Sequence, residues 1–278
     1  MKPGYAAQFI LITLVFYACK TVPVTGRKQL NLVPNSIIQA MAFSQYDSVV
    51  KVSPTLSQTD ERAQLVTTVG TNIQQAVETY MQQNNMSKDL RNFKWEYNTI
   101  NENIVNAWCM PGGKVVVYTG LLPVTQNETA LAVVMGHEIA HAIARHGNER
   151  MSQGLLLQLG GVAFDVATSS KPEETRQLFQ LAYGIGATVG VMLPYSRKHE
   201  TEADRMGLIF MSMAGYNPNE AVGFWGRMAA KSGGGGKQPV WLSTHPSDAQ
   251  RISDIKSRMG EAMKYYNASV KSGGNGRY

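Results

Sequence analysis

Apolar and polar positions alternate in two distinct ways along this chain, and the change of period divides it. From Asp60 to Gln83, the apolar residues Leu65, Val66, Val69, Ile73, Ala76, Val77 and Tyr80 recur at helical spacing. Asp60 caps this predicted helix and Asn84-Asn85 ends it. A shorter helix, Ser36 to Val50, precedes it and is broken by Pro54. The period then drops to two. Phe93–Ile100 alternates as a strand, and Ile104–Met110 and Lys114–Thr119 read as two more, joined at Pro111-Gly112-Gly113. Thr129–His146 returns to helical spacing and is apolar almost throughout. Further helices are expected over 148–168, 172–193, 196–214, 218–231 and 246–266, with a flexible run at Ser232–Lys237 and a loose tail over 271–278. The expected class is therefore α+β, mostly helical, with a small β-sheet preceding the helix at 129–146.

Polar chemistry interrupts that apolar helix as His137-Glu138-Ile139-Ala140-His141. Residues four apart share a helix face, so His137 and His141 can address one ion, while Glu138 stands one step round and can reach a water on it. Burying three such groups without partners costs several kcal/mol, roughly, and a metal satisfies them. The HExxH spacing is that of zinc metallopeptidases: two ligands and a general base. A catalytic zinc takes a third protein ligand. Glu200 is the best candidate, because Asp204 lies one turn on, on the same face, and can accept a hydrogen bond from a liganding imidazole. His199 and His146 rival it by residue type, and Glu202 falls on another face as a solvated charge.

The paired motifs, His137-Glu-Ile-Ala-His141 and Ser196-Arg-Lys-His-Glu200-Thr-Glu-Ala-Asp204, resemble the HtpX and CAAX-prenyl-protease family of zinc metallopeptidases. Asn106-Ala, Pro111-Gly-Gly and Ala142-Ile-Ala-Arg145-His146-Gly extend the likeness, which covers roughly residues 30–260. The resemblance implies a zincin-like core, one Zn2+ held by His137, His141 and Glu200, Glu138 as general base and Asp204 behind a ligand. It looks closest to the exported lipoprotein branch, some members of which serve quality control of outer-membrane proteins. There, a histidine like that of Ser243-Thr-His245-Pro246 can approach the zinc and gate it; a helix-capping role is the alternative. Arg251 resembles a family arginine that stabilises the oxyanion; a surface ion pair is the alternative.

Composition adds location and partners. The 278 residues are 44% hydrophobic, enough to bury a good-sized core, and the net charge of +6 is scattered rather than clustered, which argues against nucleic acid. Met1-Lys2 and the 13 apolar residues Ala6–Ala18 read as an export signal ending at Cys19, a site for cleavage and acylation. An ordinary signal peptide or an uncleaved anchor is the alternative. The expected organisation is a signal over 1–18, a tether over 19–34 and one catalytic domain over 35–278. The chain would be periplasmic, lipid-anchored at the outer membrane, and would act on unfolded or misfolded polypeptide. Such a substrate can add as a strand to an exposed sheet edge, for which residues 104–109 are the candidate; a purely structural hairpin is the alternative. Cys109 reads as a buried small hydrophobe. Leu178–Leu193 is apolar but short for a span, and suits a buried or membrane-facing hairpin. A zinc-held chaperone or assembly factor, needing the ligands but not Glu138, is the alternative function.

Overall fold

The computed structural model describes residues 19–169, 171, 173, 176–177, 180–181, 183–184, 192–233, 239–245 and 249–269. The expected signal over 1–18, the tail over 271–278, the helix start at Pro246, residues 234–237 of the expected flexible run and most of Leu178–Leu193 lie outside the described residues. The chain divides into two compact units, 1–38 with 145–199 and 39–144 with 200–278.

In the first unit, the stretch expected as a tether carries a short hairpin, β1 (Cys19–Thr21) antiparallel to β2 (Lys28–Leu30). Val24 and Gly26 take left-handed conformations between the strands. Helix α5 (His146–Thr168) belongs to the same unit and holds the hairpin through Glu149, which accepts two hydrogen bonds from Arg27, at 2.8 and 2.7 Å. Farther along, α5 turns Leu155, Leu159, Val162 and Val166 outward. Among the described residues no helix is long and apolar enough to cross a membrane.

The second unit holds most of α1 (Asn35–Val52) and all of α2 (Glu61–Gln83). Asp60 caps α2 as expected, its side chain accepting from the Arg62 backbone at 2.9 Å. Its stripe is buried from Ala63 to Met81. The sheet follows: β3 (Glu96–Ile100), β4 (Ala107–Met110) and β5 (Lys114–Tyr118), in the order β3-β5-β4. β5 is central, parallel to β3 and antiparallel to β4, and its Val115–Val117 are fully buried. β3 starts later than the alternation suggests. Phe93 and Trp95 pack on each other and over Gly113 instead, where a Cβ would lie 2.7 Å from the Trp95 ring. Gly112 and Gly113 both have positive φ, which is what the β4–β5 turn requires. The outer side of β3 is bridged at Thr55–Ile100, so β4 is the open edge among the described residues.

After a short helical turn, α3 (Leu122–Thr125), the apolar run forms α4 (Glu128–Ile143), packed against α2 and β4. Asn127 caps α4 by accepting from the Ala130 backbone at 2.7 Å. The run stops short of His146 because Arg145 adopts φ 58°, ψ 34° and starts a new helix. The unit is completed by the part of α6 (Leu193–Met213) from Glu200 onward, α7 (Glu220–Gly233), the five-residue α8 (Val240–Thr244) and α9 (Ala249–Ala268). The architecture is α+β and mostly helical, as the pattern implies.

Candidate metal centre

Two helices bring the motif residues together, and they can do so because neither has a side chain at the crossing. A Cβ on Gly207 of α6 would stand 2.9 Å from the backbones of Gly136 and His137 on α4, and one on Gly136 would meet the Gly207 carbonyl at 3.0 Å. Bare backbone at this point sets Glu200 and Asp204 of α6 against His137 and His141 of α4.

The donors converge. His137 Nε2 lies 3.0 Å from His141 Nε2, 3.3 Å from Glu200 Oε2 and 3.0 Å from His245 Nδ1. Glu200 Oε1 is 3.3 Å from His141 Nε2, and Glu200 Oε2 is 2.8 Å from His245 Nδ1. One atom from each of these four residues lies within 4.8 Å of all the others, an arrangement able to hold a metal ion. The tautomer of His137 is dictated by Asp204: its carboxylate Oδ1 is 2.8 Å from Nδ1 and can only accept, so the hydrogen sits on Nδ1 and the Nε2 lone pair faces the cluster.

Arg251 lies behind Asp204, not on the surface. It is 7% exposed, donates to both Asp204 oxygens at 2.8 and 2.7 Å, and reaches Glu200 Oε2 with Nη1 at 3.2 Å. Its guanidinium also covers the Trp225 ring, 3.4 Å from the centroid. This overturns the surface ion pair. Glu202 likewise corrects expectation: it is 7% exposed rather than solvated. His245 ends α8 with its ring in the cluster. The rivals His146 and His199 belong to the other unit, where their rings stack at 4.2 Å and His199 Nε2 lies 2.9 Å from Glu149 Oε2.

Electrostatics ask for a cation. Glu138, Glu200 and Asp204 bring three carboxylates and Arg251 one guanidinium, leaving two negative charges that a divalent ion balances. Burial alone would lower the pKa of His137, but the adjacent Asp204 and Glu200 carboxylates outweigh it and raise it to about 9, so an ion binding at Nε2 must displace the proton those carboxylates otherwise hold there. Burial would raise Glu200, yet His137, His141 and His245 hold its carboxyl far below the usual range. Asp204 is also lowered against its burial, by Arg251 and His137. Imidazole nitrogens and a carboxylate oxygen are a donor set that zinc accepts, so the residues fit the ion.

Two tryptophans escaped the sequence reading. Trp241 Nε1–H donates to Glu138 Oε1 at 2.6 Å, and its ring stacks on Trp225 at 5.0 Å. The available signal was its position, one turn before His245. Cys109 is half-buried on β4, and burial pushes its thiol up.

The comparisons with known proteins agree with this geometry. Residues 69–259 match the model of peptidase family M48. The chain is 39% identical over 174 residues to mitochondrial metalloendopeptidase OMA1 of Schizosaccharomyces pombe, covering 63% of this chain and 49% of that protein. It is 29% identical over 266 residues to mitochondrial metalloendopeptidase OMA1 of Bos taurus, covering 93% and 50%. It is 29% identical over 174 residues to the β-barrel assembly-enhancing protease of Yersinia pestis, covering 61% and 35%. The chain thus spans about half the length of the OMA1 relatives. What these matches share is the family rather than the HtpX, CAAX-prenyl or lipoprotein branch. The chain belongs to peptidase family M48, the zinc metallopeptidases that its two motifs resemble.

Proposed function

We propose that this zinc metallopeptidase cleaves polypeptides internally, taking substrate as an extended strand beside the free edge of β4. The observation that carries the reading is the convergence of four donor atoms next to the Glu138 carboxylate. His137, His141 and Glu200 would hold the ion. Bound there, zinc supplies Lewis acidity, polarising a peptide carbonyl and acidifying water. Glu138 takes the proton from the attacking water and delivers it to the leaving amine. Asp204 keeps His137 in its liganding tautomer, and Arg251 clamps Asp204 and Glu200. Because each terminal group of its guanidinium already faces a carboxylate, Arg251 acts here by positioning rather than at the oxyanion.

His245 supports a gated resting state. Its ring takes the fourth place in the cluster and must leave for a substrate carbonyl to enter; once displaced, it can donate to the oxyanion. The same observation favours a second reading, since four protein donors are typical of structural zinc. In that reading the chain is an assembly factor that holds clients without cutting them.

The whole of residues 35–278 would serve this one catalytic function. Acylation at Cys19 would tether it to the outer membrane of an exported compartment, near unfolded polypeptide. The signal-like start supports this placement, and so does the β-barrel assembly named for the Yersinia relative. The mitochondrial names of the OMA1 relatives pull the other way. The scatter of basic residues along the sequence supports a reading without a nucleic-acid partner.

Casein hydrolysis by the zinc-loaded protein, beside Glu138→Gln, tests the reading. Parent cleavage, sedimenting with membranes and released by Cys19→Ser, should vanish in Glu138→Gln while zinc stays bound. Silence in the parent and in His245→Ala, with casein aggregation still suppressed by Glu138→Gln, would establish the client-holding factor instead.

A further inference from the structure

We infer that Trp241 is a latch on the general base, released when an extended peptide takes its place. The inference rests on the endopeptidase reading and adds to it a residue, a displaced contact and a recognition group. Three bonds converge on α8 and the residue that ends it. The backbone N–H of Trp241 donates to the Val105 carbonyl at 3.1 Å, two residues before the edge strand β4. Its indole N–H donates to Glu138 Oε1 at 2.6 Å. One turn on, His245 Nδ1 lies 3.0 Å from His137 Nε2.

An extended substrate needs the same places. It must donate a backbone N–H to an acceptor along the edge, and it must leave Glu138 open to water. Trp241 takes both. The same oxygen, Glu138 Oε1, also lies 3.5 Å from His245 Nε2, so Trp241 and His245 meet the base at one atom. An indole N–H donates and cannot accept, so the bond occupies one acceptor site of the carboxylate and makes it a weaker base while it lasts. Releasing that bond returns the oxygen to water and to its full basicity.

The surroundings explain why the latch holds. Trp241 is 0% exposed, and its ring lies on Trp225 with 20° between the planes. A hydrogen bond to a buried carboxylate is among the stronger neutral-to-charged contacts, and neither partner can be left alone there without loss. Phenylalanine in place of Trp241 would keep the stack and the backbone bond but not the donor. The displacing ligand is therefore a polypeptide in extended conformation whose own N–H replaces that of Trp241 on Val105.

The test uses a tryptophan-free casein peptide and the full zinc-loaded chain. In a Glu138→Gln background, where Oε1 still accepts but cleavage is blocked, peptide binding should shift the tryptophan emission to the red as Trp241 leaves its stack. Glu138→Gln with Trp241→Phe should lose that shift and bind the peptide about tenfold more tightly. With Glu138 intact, Trp241→Phe should raise kcat/KM by about the same factor. Binding without an emission shift would overturn the latch. So would a fall in kcat at unchanged KM in Trp241→Phe, which would mean that Trp241 orients the working base. Should Trp241→Phe not fold, the emission of Glu138→Gln alone decides. An emission shift in a protein that never cleaves would sink the endopeptidase reading and keep the latch; cleavage with no shift would do the reverse.

Discussion

Each unit of this molecule buries a cluster of histidine, glutamate and arginine, and only one of them is built for a metal. In the first unit Arg27 grips Glu149 with two hydrogen bonds, His199 adds a third, and His146 stacks on His199. One guanidinium meets one carboxylate, so these four residues carry no surplus of negative charge. In the second unit three carboxylates face one guanidinium, and the histidine lone pairs point at a common place. Residue type is the same; charge balance and convergence differ. The pKa values follow. Burial would raise Glu149, but Arg27 and His199 hold it at about 2, whereas the surplus carboxylates of the other cluster raise His137 to about 9. Histidine content is equal in kind in the two clusters, and it is the excess negative charge beside His137 that suits a cation.

Changes that spread the converging donors should hurt most. Gly207→Val places a branched side chain where a Cβ alone stands 2.9 Å from the α4 backbone, so α6 must move away from α4. Disturbing what holds metal ligands in place costs about 10–100-fold in affinity, so zinc affinity by competition with a chromophoric chelator should fall by that order, with about 1–3 kcal/mol of stability lost to overpacking. Affinity within a few-fold of the parent would mean that the crossing does not set the donors.

A milder change should act on the closed cluster alone. Glu149 has a folded pKa of about 2, below its ordinary value of 4.5, so its stabilisation is present above about pH 5 and is lost as pH falls toward 2. Denaturation in urea should show about 2 kcal/mol lost from this source by pH 3, and Glu149→Gln should lack that part of the acid dependence. Parallel pH profiles for parent and variant would contradict the assignment.

The contrast was half legible in the chain. His137, Glu138 and His141 are local, since one helix turn sets their geometry, and Glu200 with Asp204 reads the same way on α6. The cap at Asp60 and the turn at Gly112-Gly113 are equally local. Long-range pairs left no trace. Trp241 meets Glu138 across 103 positions, and Gly136 matters only because Gly207 faces it. Glu202 looked solvated because its helix face was read without its neighbours. The break at Arg145 is hidden because a left-handed arginine has no compositional mark. The parallel pairing of β3 with β5 could not come from strand periodicity, which sets faces and not order.

The central claim is that one cluster takes zinc and the other is complete without it. Calorimetric titration of zinc into chelator-treated protein tests this directly, beside His141→Ala and His199→Gln. The account predicts one zinc per chain for the parent and for His199→Gln, and no tight binding for His141→Ala. Zinc retained by His141→Ala, or lost from a folded His199→Gln, would contradict it.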